Sequence, residues 1–455
     1  MSAREILDVY LSFFEKRGHK KIENSSLVPQ NDPSTLFTTA GMQSLIKYLL
    51  GELHPDGKRL VNVQNCFRAV DIDEIGDNRH TTFFRMLGNW SLGDYFKNEQ
   101  IPWFWEFLTG ELEIDPKRLY VSIFEGYKNI PRDEESAEIW RELFAKAGVN
   151  PKDRVFYCGV EDNWWSMSGA PDEMSDGEPG GPDTEVYFDL RPNEGEIKGT
   201  LDENIKSERL MEIGNSVFMT YKKTNGEFTD LPAKNVDFGG GIERLLAAVE
   251  DKSDVFETNL YLPIINSIVK TSSKTYKEYK KDMRIICDHL ISSSFIIAAG
   301  ILPSNKNQGY VLRRLIRRTY DAWQNLGGID VENVVRVIIS QYKDTDPLIE
   351  EKFAEVVSVI EEEFDKYKRS ISEARKFVEK KYPSAVSGQA KGGEVKGTVT
   401  ISSGDAFNLY TSLGLSPTQI KSLGYNFNEQ EFAGRMKEHQ TKSREARSGS
   451  ARKKS

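Results

Sequence analysis

The chain has 455 residues, 29% of them charged, with 61 Lys+Arg against 70 Asp+Glu for a net charge of −9. That length holds two or three domains with cores of their own, and the acidic balance means that any nucleic-acid contact must come from local basic patches. Three scattered cysteines (Cys66, Cys158, Cys287) argue against a disulfide framework or a cysteine zinc site and suit a reducing cytosol; the charged N-terminus is unlike a signal peptide, and no apolar run is long enough to span a membrane.

Residues 3–17 predict an amphipathic helix with Ile6, Leu7, Tyr10, Leu11 and Phe14 on one face. Residues 25–120 mix short strands, hairpins and Gly/Pro punctuation. Within them the alternating run 60–67 predicts a strand, followed by Arg68 and a polar loop (Asp71, Asp73, Glu74, Gly76, Asp77, Asn78). Arg79 and His80 then lead into 81–84, a returning strand. The result is a long-looped antiparallel hairpin with an Arg near one arm, an Arg-His pair entering the other, and aromatics beside them. A guanidinium grips phosphate or carboxylate, and an aromatic face offers a platform for a base, so the hairpin reads as a nucleotide site on a sheet. Taken singly, Arg68 reads more readily as an ion-pair partner of Asp71 or Asp73, His80 as a satisfied polar residue, and Trp164 and Trp165 as core. The joint pattern raises the functional reading.

Further along, 103–112 predicts a helix, 121–124 a strand and 137–147 a helix. Residues 158–185 read as irregular and aromatic, and 186–188 and 217–219 as strands. Residues 236–246 read as a strand end, a glycine run and a helix whose core face uses Leu245, Leu246 and Val249. Glycines let a ligand approach the backbone, and a helix N-terminus favours anions. The run has neither the GK[ST] ending of a P-loop nor G-x-G-x-x-G spacing. Arg244, in the first turn, opposes the helix dipole and calls for an anionic partner; a plain Gly-rich turn with a surface Arg is an equal alternative.

Near Glu250 the texture changes, and 255–325 and 347–381 are helical in period. Arg313, Arg314, Arg317 and Arg318 recur at i, i+1, i+4 and i+5 beside an apolar stripe of Val311, Leu312, Leu315 and Ile316. Four like charges without evident acidic partners favour a phosphate-backbone contact slightly over a solvated face. Residues 384–403 read as a loop or small hairpin, followed by a short helical end. The tail 441–455 carries six Lys/Arg against Glu445 and is expected to be disordered. The expected organisation is an α+β domain over 1–252, a mostly helical domain over 253–440, and the basic tail.

Five segments resemble, in order, the N-terminal part of the alanyl-tRNA synthetase family, class II aminoacyl-tRNA synthetases. FRAVDIDEIGDNRHTTFFRMLGNWSLGDYFK is similar to the family's motif 2 and its following strand, VDFGGGIERL to motif 3, and SSLVPQNDPSTLFTTAGMQ (25–43) to the motif 1 neighbourhood. EIGNSVFMTY (212–221) resembles its amino-acid-binding strand, and ILPSNKNQGYVLRRLIRR (301–318) part of its tRNA-recognition domain. The resemblance implies a class II antiparallel sheet flanked by helices, followed by a mostly helical tRNA-recognition domain. It implies activation of L-alanine with ATP and Mg²⁺ to alanyl-adenylate, then transfer to the 3′ end of tRNA(Ala) in the cytoplasm.

Carried over residue by residue, Arg68, Asp237 and Arg244 form the catalytic set. Arg68 would grip the α-phosphate and the amino-acid carboxylate, and Arg79 and His80 would lie near the outer phosphates. Arg244 and Phe84 (or Phe83, the register being open) would sandwich the adenine, with Gly241 at the ATP. Asp237 would hold the alanine ammonium, beside Gly239, while Trp165, Asn215 and Val217 shape a methyl-sized pocket. Asn305 would read the G·U wobble pair of the acceptor stem, with Arg313, Arg314, Arg317 and Arg318 on its phosphates. Glu212 is a candidate Mg²⁺ carboxylate, the full ligand set staying open, and no zinc is expected in this chain.

Several positions depart from the family pattern. Thr411 stands where the family has an Asp that reads the wobble pair, with Asp405 nearby but out of register. Arg85 and Gly214 replace Glu and Trp and are expected near the pocket. The loop GEPGGPDTE (177–185) is preceded by extra residues around Ala170–Asp176. The family continues into an editing domain with a His/Cys zinc cluster and a dimerisation domain; here the five histidines form no HxxxH. A short, monomeric form without cis editing is therefore expected, with serine misactivated and a separate editing protein acting in trans, since a methyl pocket rejects an added hydroxyl only about a hundredfold. The competing expectations are a class II paralogue loading another acceptor and a non-catalytic RNA-binding module.

Overall fold

The computed structural model describes residues 1–29, 35–328, 330–382 and 399–437. The chain forms two compact units, Met1–Val357 and Ser358–Ser455.

The first unit is built on a mixed sheet. Its strands are β1 (Lys20–Lys21), β2 (Arg59–Phe67), β3 (Phe83–Leu92), β4 (Leu119–Phe124), β5 (Val155–Cys158), β6 (Trp164–Ser166), β7 (Pro179–Asp189), β8 (Leu210–Thr224) and β9 (Glu227–Gly241). The order is β1-β2-β3-β9-β8-β7-β4-β5, with β6 paired to β7 off this path. The β1/β2 and β4/β5 pairs are parallel, and the central pairs are antiparallel. An antiparallel sheet flanked by helices is what the sequence resemblance implied; the parallel edge pairs add to it.

The N-terminal helix Ala3–Glu15 starts on a Ser2/Glu5 capping box, which satisfies two otherwise orphaned N–H groups, and buries Ile6, Tyr10, Leu11, Phe13 and Phe14. Tyr10 donates to Asn89 of β3 at 2.9 Å, tying that helix to the middle of the sheet. The helix expected at 103–112 runs over Lys97–Glu106 and passes into a π-helical turn at Phe107–Glu111. Both elements cover one sheet face, where Phe104 and Phe107 pack with Tyr10 and Phe238.

Two segments read as loop are strand. Part of the irregular stretch 158–185 forms β6 and the start of β7. At Gly181 a Cβ would sit 2.0 Å from the Phe218 carbonyl oxygen, so only glycine lets β7 and β8 cross this closely. The glycine run 239–241 is likewise the end of β9, paired to β3 through Gly239↔Gly88 and Gly241↔Met86. The helix Ile242–Val249 follows directly. Pairing to β3 along the whole run, and to β8 at Gly239, overrides the turn-like local composition.

Helices Leu262–Ser272, Lys280–Ala298, Asn307–Asn325 and Val331–Tyr342 complete this unit, the last lying between the two helical stretches expected from sequence. The expected stripe Val311, Leu312, Leu315 and Ile316 is buried. Residue 252, the expected domain boundary, lies inside the unit: Phe83 of β3 stacks on Phe295 at 4.0 Å between ring centres.

In the second unit, Val399–Thr400 pairs in parallel with Tyr425–Asn426, and helices Ser403–Leu413 and Pro417–Ser422 lie between them in sequence. Asp405 is buried and accepts bonds from Lys381 and Tyr382. The loop or hairpin expected at 384–403 falls mostly outside the described residues, and the basic tail 441–455 wholly so.

Candidate active site

The β2–β3 hairpin pairs Phe67 with Phe83, Cys66 with Phe84 and Asn65 with Arg85. Its loop is closed by the Arg68 N–H donating to the Thr82 carbonyl at 2.9 Å. The Arg68 guanidinium lies 4.9 Å from the Phe84 ring centre, and its Nε donates to the Thr39 carbonyl at 3.3 Å. Among the described residues no carboxylate lies within ion-pair distance of Arg68. The alternative of a salt bridge to Asp71 or Asp73 is therefore not formed: Asp73 pairs elsewhere, and Asp71 lines the same cleft half-buried. Burial pushes the Asp71 carboxyl up, against the pull of Arg68, His80 and Arg244.

Strand alternation resolves the aromatic register. Phe84 and Met86 face the cleft, whereas Phe83 faces the core against Phe295. Arg85 shares the Phe83 face. Its guanidinium is 3.7 Å from Glu243 and 5.0 Å from the Tyr342 ring centre, and its N–H donates to both Glu243 oxygens at 3.1 and 3.2 Å. By this parity Arg85 does not line the cleft but sits behind it, against Glu243, which does; for Gly214 the expectation of a place near the pocket is corrected. A Cβ on Gly214 would lie 2.6 Å from Phe104, beneath the sheet and away from the cleft.

Arg79 and His80 are held by Asp77. Both backbone N–H groups donate to its Oδ1, at 3.1 and 2.9 Å, and the His80 ring bonds its Oδ2. Burial alone would raise the Asp77 carboxyl; the bonds from His80 bring it down to about 2.

From the other wall, Gly239 and Gly241 of β9 present bare backbone to the cleft, and a Cβ at Gly239 would lie 3.1 Å from the Met86 sulfur. Arg244, in the first turn of the next helix, donates to Glu212 Oε2 at 2.8 Å, so the anion called for by the helix dipole is supplied by β8. Asp237 lies two residues before Gly239, opposite Trp90 on β3 and Val217 on β8. Trp90 Nε1 donates to its Oδ1 at 2.6 Å; burial outweighs that bond and raises the carboxyl to about 7.

Trp165 is half-buried against the cluster that contains Met42, Trp90 and Val217. Asn215, opposite Gly239, donates to Glu185 at 3.2 Å and keeps its Oδ1 buried without a hydrogen-bond partner. Glu185, half-buried, belongs to an acidic set missed from the sequence, of which Asp183 is buried and Glu212 partly exposed. Asp183 accepts from Asn163 at 2.9 Å and is raised to about 7 by burial. Glu185 is raised further by burial and by the neighbouring Glu212 and Asp183 charges. The alternation Asp183-Thr184-Glu185 after the glycines was the available signal.

The cleft thus brings together Arg68, Arg79, His80, Phe84, Gly239, Gly241 and Arg244, with Asp71 and Glu212 on its walls. Asp237, Asn215, Val217 and Trp165 continue from it along β8, β9 and β6.

The arginines of Asn307–Asn325 differ from expectation. Arg314 pairs with Asp73 at 2.6 Å, and Arg318 pairs with the same carboxylate at 3.2 Å and donates to His289 Nε2 at 3.1 Å. Arg313 donates to Asn305, and Arg317 is buried. The row is therefore not free of acidic partners, because residues 314 and 318 share the side that meets the hairpin loop. Within the second unit, exposed Thr411 bonds back to the Phe407 carbonyl at 3.0 Å. Asp405 is occupied by Lys381, Tyr382 and Ser402 and does not replace the missing carboxylate there.

The family model described as tRNA synthetases class II (A) matches residues 5–455. An alanine–tRNA ligase of Borreliella afzelii (strain PKo) is 43% identical over 398 residues, covering 82% of this chain and 64% of the relative. One of Borrelia hermsii (strain HS1 / DAH) is 42% identical over 386 residues, covering 83% and 60%. One of Borrelia garinii subsp. bavariensis (strain ATCC BAA-2496 / DSM 23469 / PBi) is 39% identical over 469 residues, covering 98% and 73%. The chain spans less than two thirds of the length of the first two.

Proposed function

The chain belongs to the class II tRNA synthetases, and on that footing we propose that it is an alanine–tRNA ligase, activating L-alanine with ATP and passing it to the 3′ end of tRNA(Ala). The observation that carries this reading is the Arg68 guanidinium, free of any described carboxylate and set beside Phe84 in a cleft whose other wall is Gly239, Gly241 and Arg244.

ATP lies with its adenine between Phe84 and Arg244 and its phosphates toward Arg68, Arg79 and His80. The alanine ammonium pairs with Asp237, the methyl group faces Trp165 and Val217, and the carboxylate turns to Arg68. That carboxylate is already a nucleophile. It forms a bond to the α-phosphorus as the bond to pyrophosphate breaks, and no protein base is required. Arg68 lowers the barrier by meeting the charge that develops on the α-phosphoryl oxygens. The terminal ribose hydroxyl of tRNA then attacks the carbonyl of alanyl-adenylate and AMP departs.

Mg²⁺ in such sites takes one or two carboxylates together with phosphate oxygens and water, and Glu212 and Asp71 on the cleft walls fit that need. When bound, it neutralises phosphate charge.

The acceptor stem of tRNA meets Asn305, Arg313, Arg314 and Arg318; Arg317, being buried, supports the helix instead. On this reading residues 1–252 carry catalysis and 253–440 RNA recognition. Among the described residues no helix is long and apolar enough to cross a membrane.

The test is ATP–pyrophosphate exchange over a panel of amino acids, followed by charging of tRNA transcripts with and without the G·U wobble pair. Alanine-dependent exchange and preferential charging of the wobble-bearing transcript are expected. Exchange with no amino acid would refute the reading, and exchange without charging would turn it toward another acceptor.

A further inference from the structure

The hairpin loop that carries Arg68, Arg79 and His80 is fastened from outside the cleft by residues that contact neither ATP nor alanine. Thr82, fully buried, stands two residues after His80 and two before Phe84. Its N–H donates to Asp288 Oδ1 at 2.7 Å, its hydroxyl donates to Asp288 Oδ2 at 2.7 Å, and its carbonyl accepts the Arg68 N–H at 2.9 Å. One buried carboxylate on the helix Lys280–Ala298 therefore fixes both the backbone and the side chain of the residue that closes the loop.

Asp288 is itself backed by a chain of polar groups. His289 Nδ1 bonds Asp288 Oδ2 at 2.8 Å, and His289 Nε2 faces Arg318 Nε at 3.1 Å. Arginine can only donate, so Nε2 accepts and Nδ1 carries the proton toward Asp288, which makes His289 a neutral ring of one defined tautomer. Burial favours the same neutral form. Arg318 also reaches Asp73, on the outgoing limb of the same loop. Both limbs are thus tied to one pair of helices.

A carboxylate within a helix core costs desolvation energy that an apolar contact would avoid. What the arrangement secures is a fixed direction for the returning limb, and reacting groups displaced by about 1 Å lose catalysis on the order of a hundredfold. We propose that Asp288, backed by His289 and Arg318, is a positioning residue for ATP: through the Thr82 side chain and N–H it sets the placement of Arg79, His80 and Phe84 on the returning limb. This inference rests on the reading of the cleft as an ATP and alanine site.

The test is steady-state ATP–pyrophosphate exchange by the full chain carrying Thr82→Val, Thr82→Ser or Asp288→Asn. Thr82→Val keeps the shape and leaves the buried carboxylate in place while removing the hydroxyl's bonds to Asp288 and Ser292, each 2.7 Å. The expected result is a five- to tenfold rise in KM for ATP in Thr82→Val with KM for alanine within twofold, and a return toward wild type in Thr82→Ser. A KM for ATP unchanged in Thr82→Val, or ATP and alanine constants rising together, would overturn the positioning role. If the wild type exchanges with no amino acid, the functional reading fails, and calorimetric titration with ATP still decides the inference: equal affinity of wild type and Thr82→Val, or no binding by either, overturns it.

Discussion

Two sets of arginines share the first unit and are held in opposite ways. In the cleft, Arg68 has an aromatic ring and a backbone carbonyl for company and no described carboxylate in range. On the helix Asn307–Asn325, Arg314 and Arg318 already share Asp73. An incoming phosphate meets a vacant guanidinium in the first place and must displace a carboxylate in the second. The same residue type therefore offers strong, geometrically fixed recognition at one site and an exchangeable, salt-sensitive contact at the other.

The largest test of this contrast is Arg68→Ala, which should lower alanine-dependent pyrophosphate exchange by about 10²–10³-fold, as loss of a preorganised donor to developing charge does. Arg68→Lys should recover little, because an ammonium cannot reproduce the planar fork. A variant keeping more than a tenth of wild-type exchange would break the contrast.

Asp237→Asn comes next, with KM for alanine rising by about ten- to a hundredfold for the loss of a charged hydrogen-bond partner. Its stability should move the other way. Asp237 has its folded pKa raised to about 7, from an ordinary value of 3.8. Between those values the folded chain holds a proton that the unfolded chain lacks, so wild-type stability falls as pH rises through this window, and the penalty is complete above it. The Tm of Asp237→Asn should exceed that of wild type at pH 8, with the gap closing toward pH 4. In wild type, KM for alanine should fall as pH rises through about 7.

Phe84→Ala should raise KM for ATP about tenfold, in the range of loss of one base-stacking face. Phe83→Ala should instead lower stability by about 3–5 kcal/mol in chemical denaturation while leaving KM for ATP near wild type. Interchanged outcomes would mean that the strand register is wrong. The smallest effects belong to the helix. Arg314→Ala should weaken tRNA binding a few-fold and reduce the salt slope by about one, whereas Asp73→Ala should strengthen binding a few-fold by freeing its two arginines.

The β2–β3 hairpin was legible from sequence because alternation, a polar loop and returning aromatics are all local. The choice between Phe83 and Phe84 was not, since either fits a strand until Phe295 claims one of them from more than two hundred residues away. Asp73 beside Arg314 and Arg318 is a pairing of the same kind, and it reversed the picture of an unpartnered basic row. The acidic set Asp183, Glu185 and Glu212 is assembled across two strands, so no single window displays it. At Gly239–Gly241 local propensity pointed to a turn, and pairing with β3 made a strand.

That last feature bears on how the protein can be re-engineered. Where the end of β9 forms one wall of the cleft, its surface is main chain, held by pairing to β3 and without a side chain to trim or lengthen. Adding one at Gly239 would first push against Met86. A redesign for a larger amino acid therefore has no adjustable part in that wall. It must work farther along the strands, at Trp165 and Val217, and the glycine wall serves as the fixed gauge against which those changes are measured.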